Sequence, residues 1–200
     1  MSGAPEFDLE PVIEALAAGQ VVGLPTDTVY GLAGALRRGP IDRIFEAKGR
    51  PPGLALPVLI GERHQVDAVA STFPEAAVRL AERFWPGPLT IVVRAKRAVG
   101  ALVGGDGRSV GIRWPAHPLV EQVCLAVGPI AMTSANRHGE PACTSAEQLR
   151  AIFDPGEVTV IVDGGPCDGA SSTVIDCVSR TPSCMREGAL PWAEIEVALA

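Results

Sequence analysis

Short segments of this chain concentrate the residues that can hold an anion. They are Pro25-Thr26-Asp27-Thr28-Val29-Tyr30-Gly31, Lys48-Gly49-Arg50-Pro51, the run 109–113 from Ser109 to Arg113, Thr133-Ser134-Ala135-Asn136, Ser171-Ser172-Thr173 and Arg186-Glu187-Gly188. Each offers hydroxyls, main-chain amides in Gly or Pro turns, or a fixed positive charge, the groups that bind phosphates and carboxylates. Lys48-Gly49-Arg50-Pro51 admits two readings. Its cations complement the dipole at a helix C-terminus, worth about 0.3–1 kcal/mol, or a lysine point charge and an arginine fork grip a nucleotide's phosphates. Arg113, delivered by the apolar run Val110-Gly111-Ile112, suits either an ion pair or a ligand carboxylate. Trp85-Pro86-Gly87-Pro88 reads as a rigid turn that shapes the scaffold and performs no chemistry.

Other chemistries are poorly represented. No Gly-x-x-x-x-Gly-Lys-Ser/Thr follows a strand pattern, and Gly104-Gly105-Asp106-Gly107 does not match the dinucleotide fingerprint, so a nucleotide would be held in another way. His64, His117 and His138 are far apart, each with an ordinary surface reading, and no dedicated metal site is expected. The five cysteines, Cys124, Cys143, Cys167, Cys177 and Cys184, never pair as Cys-x-x-Cys and read as buried or half-buried free thiols.

The elements that must position these groups alternate along the chain. Strand patterns fall at 21–24, 57–60, 89–93, 110–114, 130–133, 158–162 and 173–177. Helix patterns fall at 8–18, ended by Gly19, at 40–48, at 74–84 with Pro74 in the first turn, at 118–127 opened by Pro118, and at 145–153 capped by Ser145. This alternation predicts an α/β fold with a twisted, mixed sheet flanked by helices. The informative segments lie where strands end, which is where open α/β sheets bind ligands.

Of the 200 residues, 47% are hydrophobic and 20% charged, enough for a domain with a core of its own, and a single domain is expected over 1–200 with its core at about 8–190. The apolar runs are far shorter than the roughly 20 residues of a membrane span. Residues 1–8 carry neither a secretory signal nor a transit peptide, so a cytoplasmic location is expected, with no membrane partner. The net charge of −6 argues against a broad nucleic-acid footprint.

In this order, and together with Trp85-Pro86-Gly87-Pro88-Leu89-Thr90, the segments from Pro25 to Ala189 resemble the YrdC/Sua5 family of threonylcarbamoyl-AMP synthases, in its short form. The resemblance implies a large twisted sheet around a concave, positively charged cavity holding ATP and L-threonine side by side. It implies ATP contacts from Lys48, Arg50, Ser109, Ser134 and Arg186, with Lys48 and Arg50 exposed in the cavity. Threonine contacts are implied from Thr28, Arg113 and Ser172, with Asn136 serving either ligand. It also implies bicarbonate as third substrate, Mg2+ arriving with ATP, no side-chain nucleophile, and a product passed to a tRNA threonylcarbamoyl transferase complex. The alternative is a paralogue without synthase activity that binds nucleotide or, weakly, tRNA. The chain departs from many relatives at Leu54, where a polar group near the nucleotide is common, and at Ala142, which lacks a hydroxyl that some relatives direct at ATP. It departs also at Leu59, where some place a threonine-contacting histidine, and at Met132, where a small residue is frequent.

Overall fold

The computed structural model describes residues 7–199, so most of the 1–8 reading lies outside the described residues. The helices are α1 (Glu10–Ala17), α2 (Arg38–Lys48), α3 (Val66–Val69), α4 (Glu75–Phe84), α5 (Arg97–Val103), α6 (Pro118–Val127), α7 (Ala146–Ile152) and α8 (Trp192–Leu199). The strands are β1 (Val22–Leu24), β2 (Gly31–Ala35), β3 (Val58–Leu59), β4 (Leu89–Arg94), β5 (Ser109–Arg113), β6 (Ile130–Ser134), β7 (Val160–Ile161), β8 (Thr173–Asp176) and β9 (Ser183–Arg186). They form one nine-stranded sheet in the order β7-β1-β2-β6-β3-β5-β4-β8-β9, with β1/β7, β3/β5 and β4/β8 parallel and the other neighbours antiparallel. The mixed α/β architecture is the one expected. Strand β2, rich in Gly and Ala, and the exposed edge strand β9 carry little apolar alternation and were not foreseen; neither were α3, α5 and α8.

Successive strand residues point to opposite faces, and this alternation builds two cores. On one face α2, α4, α5, α7 and α8 bury Leu32, Val58, Ile91, Val93, Val110, Ile112, Ala131 and Ile175. On the other, α1 and α6 pack through Val12, Leu16, Leu119, Val120 and Val123 onto Val22, Leu24, Ala33, Leu59, Ile130 and Met132. That second cover stops at β3. In the parallel register Leu59 lies beside Arg113, and across β5 and β4 Arg113, Gly111 and Ser109 share a face with Thr90, Val92 and Arg94. Val174 and Asp176 of β8 continue it. Val92, Gly111 and Val174 are only half-buried, and neither valine belongs to either core. Among the described residues the sheet thus has one face covered by helices up to the exposed edge strand β9 and one covered over only half its width.

Loop connections fix the step between the covered and bare halves. Ala135 N donates to Tyr30 O and Tyr30 N to Cys143 O, tying the turn after β6 to the turn before β2. Ala189 N donates to Ser171 O, and Gly188 N and Leu190 N both donate to Thr173 Oγ1, which locks the segment after β9 onto the start of β8.

Candidate functional site

A cavity opens where the α1/α6 cover ends, at one end of the strands. Its wall includes Thr26, Thr28 and Tyr30 before β2, Arg50 after α2, Leu59 of β3, Thr90 of β4, Arg113 of β5, Met132, Thr133 and Ser134 of β6, Ser171 and Ser172 before β8, and Arg186 of β9. Of the expected site residues, Thr28, Arg50, Arg113, Ser134, Ser172 and Arg186 therefore come together on one surface.

Arg113 is buried, and its guanidinium is held on three sides. Nε donates to Gly87 O at 3.0 Å, Nη1 to Thr28 Oγ1 at 2.9 Å and Nη2 to Asp27 Oδ1 at 2.6 Å. The ion pair and the candidate ligand contact are thus the same residue, and the pair is almost dry, with side-chain exposures of 7% and 15%. Asp27 stands in the Pro25–Gly31 segment, where residue type alone gives it no evident partner. A partner 86 positions away leaves no trace in local pattern. The Trp85-Pro86-Gly87-Pro88 turn also does more than shape the scaffold, since its Gly87 carbonyl fixes Arg113.

Arg186 packs across β8, donating from Nη2 to Ser172 O at 2.7 Å and, more weakly, to Ser172 Oγ at 3.3 Å, while Ser172 Oγ lies 2.9 Å from Thr90 Oγ1. Arg50 leans on its own loop, with Nε donating to Leu54 O and Nη2 to Ala55 O. Burial lowers the pKa of each of these arginines; Arg186 lowers those of Arg50 and Arg113 further, while Asp27 opposes the shift at Arg113. A guanidinium so shifted is still cationic. Three converging cations with a single paired carboxylate make a strongly anion-attracting pocket.

Lys48 was expected in the cavity, and the structure corrects this. Only 3% of it is exposed. Gly49 ends α2 in the left-handed region at φ 63°, and Gly49 N and Arg50 N close the turn on Glu46 O and Phe45 O. The reversal sends Arg50 to the cavity and Lys48 behind its wall, where Nζ donates to Ser134 O at 2.7 Å, to Asn136 O at 3.2 Å and to Asn136 Oδ1. Ser134 Oγ donates to Asn136 Oδ1 at 2.8 Å. Asn136 is likewise buried, in the same knot rather than on the cavity wall. Burial, aided by the charge of Arg50 and opposed by Cys143, brings the Lys48 ammonium down to about 8.

Ser109 is not on the cavity wall. It sits four residues before Arg113, about 13 Å along the strand, with Oγ donating to Asp106 Oδ1 at 2.9 Å. It does share the face of Arg113, at the far end of the bare strip formed by Gly111 and Val92. Thr26 and Thr90 were also not singled out. Thr26 Oγ1 accepts from Thr28 N and Val29 N and so shapes the loop carrying Thr28. The five cysteines are free thiols, and His117 is partly buried with no partner for Nδ1 among the described residues, unlike the surface histidine expected.

This fold and pocket define an α/β protein with an anion-binding cavity at the end of a half-covered mixed sheet. Comparison with known proteins specifies it further. The Sua5/YciO/YrdC family model, described as "Telomere recombination", matches residues 14–188, and the chain belongs to that family. It is 43% identical over 181 residues to the threonylcarbamoyl-AMP synthase of Pyrococcus abyssi, covering 89% of this chain and 53% of the relative. It is 39% identical over 188 residues to the Bacillus subtilis protein of the same name, covering 92% and 54%. The crystal structure of P. abyssi Sua5 complexed with L-threonine superposes with a TM-score of 0.92 at 38% identity, over 98% of this chain and 59% of that one. The chain therefore spans about half the length of these relatives. Among the described residues no helix is long and apolar enough to cross a membrane.

Proposed function

We propose that this chain is an L-threonylcarbamoyladenylate synthase, joining L-threonine, bicarbonate and ATP into threonylcarbamoyl-AMP with release of pyrophosphate. The observation that carries this reading is the convergence of Arg50, Arg113 and Arg186 with the hydroxyls of Thr28, Ser134 and Ser172 on one cavity. The names of the relatives and the threonine bound to P. abyssi Sua5 support the same substrates.

In this reading Arg113 and Thr28 take the threonine carboxylate, with Ser172 beside them. Arg50, Arg186 and Ser134 take the triphosphate, and Lys48 and Asn136 hold the Ser134 turn in place behind it. The nucleoside extends from the cavity along the bare strip of Gly111 and Val92 towards Ser109. The threonine amine adds to bicarbonate, losing water, and the resulting carbamate oxygen attacks the α-phosphorus as pyrophosphate leaves. No covalent enzyme intermediate is required. The protein's work is to hold two anions against a triphosphate in attack geometry and to keep cationic donors where charge accumulates.

ATP enters as its magnesium complex. The cavity's side-chain donors are guanidinium and hydroxyl groups, and Asp27 is committed to Arg113, a set unsuited to caging a hard dication, so the metal rides on the phosphates. The product, a mixed anhydride, suits consumption by a transferase that modifies tRNA. The chain's charge of −6 weighs against tRNA binding as its primary role.

The test is pyrophosphate release from ATP with threonine and bicarbonate, against controls omitting each. Release that needs all three is expected. Release indifferent to threonine, or none from folded protein that binds ATP, overturns the assignment.

A further inference from the structure

The cavity poses a sorting problem. Three arginines face it, and the two anions they are assigned differ greatly in charge: a carboxylate carries one negative charge and a triphosphate three or four. Arg50 and Arg186 have no carboxylate within salt-bridge distance among the described residues, whereas Arg113 has Asp27 at 2.6 Å. Among the described residues its ion pair is the one carboxylate contact of the cluster. Resting on the assignment of Arg113 to the amino acid, we propose that Asp27 is a positioning residue that sorts the two substrates, marking the Arg113 subsite for a monoanion and leaving the triphosphate to Arg50 and Arg186.

Two physical effects act together. The first is charge. Near-complete burial makes the Asp27 charge felt strongly at Arg113, so the pair presents far less positive potential than a bare guanidinium would. A triphosphate gains more from the unpaired cations, while a carboxylate still finds hydrogen-bond donors. The second is aim. A guanidinium has five N–H donors in one plane, and Gly87 O, Thr28 Oγ1 and Asp27 Oδ1 occupy one on each nitrogen. The remaining N–H groups, one on each terminal nitrogen, are held in fixed directions. Without Asp27 the repulsion from Arg186, which already lowers the pKa of Arg113, would act unopposed.

The surroundings of Asp27 leave its charge available for this task. On its far side lies a small cleft lined by Thr26, His117, Gly164, Cys167 and Asp168. Burial lowers the pKa of the His117 imidazole, which favours its neutral form, and it raises that of the Cys167 thiol. Asp168 is a like charge. Arg113 is therefore the only cation within salt-bridge distance of Asp27 among the described residues.

The test is equilibrium binding of L-threonine to the whole chain, with and without saturating inorganic tripolyphosphate, for the wild type, Asp27→Asn and Asp27→Glu. For the wild type, tripolyphosphate should change the threonine Kd by less than about two-fold, because the anions occupy separate subsites. In Asp27→Asn it should weaken threonine binding by about ten-fold or more, because the polyanion now also occupies the Arg113 end. Asp27→Glu, which restores the charge, should return towards wild-type behaviour. A merely structural role for Asp27 would weaken threonine equally with and without tripolyphosphate, and that result overturns the proposal. So does tighter threonine binding in Asp27→Asn under both conditions, which would make Asp27 a plain competitor, and so does a wild type that binds no threonine. Pyrophosphate release is read separately: sorting without release sinks the synthase reading alone, and release with no loss of sorting in Asp27→Asn sinks this one alone.

Discussion

Lys48 Nζ lies 2.7 Å from the main-chain oxygen of Ser134, and the same ammonium reaches Asn136 through both its carbonyl and its side chain. Lysine, serine and asparagine belong to segments 86 and 88 positions apart, and the lysine is the post on which the other two turn. It acts on the cavity through Ser134.

That placement predicts a pH effect. The ammonium falls from its ordinary 10.5 to about 8. As pH rises through about 8 in the folded protein, Lys48 loses a donor, the Ser134 turn loosens, and KM for ATP should climb. The linkage to stability has the opposite sign. Between about 8 and 10.5 the unfolded chain binds more protons than the folded one, so this group's contribution to stability increases with pH across that window. Pyrophosphate-release kinetics from pH 7 to 9.5, with thermal melts at each pH, check both trends. Lys48→Arg, which stays charged, should show no rise in KM centred near 8.

Arg50 and Arg186 should separate by ligand. Removing a charge-assisted contact to phosphate costs about 2–4 kcal/mol, roughly 30-fold to 1,000-fold in affinity. Arg50→Ala should weaken ATP by this order and leave threonine binding within about three-fold. Arg186→Ala should weaken both, because Arg186 also holds the Ser172 carbonyl and hydroxyl. Calorimetric titration of each ligand into each variant reads the difference.

The bare half of the sheet gives a test of where the nucleoside lies. Val92 is half-buried and outside both cores, so Val92→Glu should leave the fold intact, at a cost of about 1 kcal/mol from the Asp176 carboxylate beside it in β8. A carboxylate on that strip should nevertheless weaken ATP binding by at least about ten-fold through repulsion and lost contact, while threonine binding is kept. Unchanged ATP affinity would place the nucleoside elsewhere.

Gly31 opens β2 beneath Met132. A Cβ there would overlap Met132 Cε and come within 2.8 Å of Thr133 O. Gly31→Ala should therefore destabilise by about 1–3 kcal/mol, the cost of overpacking. Adding Met132→Ala should recover only part of this, because the Thr133 carbonyl is backbone and stays. Denaturant melts of the single and double variants measure both.

Much of the frame was legible along the chain. The spans 118–127 and 74–84 were readable because a proline marks each start and an apolar face runs through each, and they agree with α6 and α4 to within a residue. Strand patterns at 89–93 and 130–133 match β4 and β6 because buried strands carry short runs of apolar residues bounded by turn signals. Strands β2 and β9 escaped notice for the converse reason. Gly31-Leu32-Ala33-Gly34-Ala35 and Ser183-Cys184-Met185-Arg186 become strands because neighbours offer them hydrogen bonds, not because of their own propensity.

By itself the sequence determined the inventory: the cationic and hydroxyl-bearing segments, several of them beside strand termini, and the alternation that makes a mixed sheet. These are local properties, set by residue type, turn chemistry and periodicity within a dozen positions. Only the tertiary structure decided which cation faces a ligand and which is a post behind the wall. A left-handed turn at Gly49 splits Lys48 from Arg50, and the end of the α1/α6 cover at β3 leaves one half-face bare. The pairing of Asp27 with Arg113 likewise depends on two loops meeting across the sheet. Burial, and the charge partners it forces together, arises from contacts between distant segments, so it has no signature in any one of them.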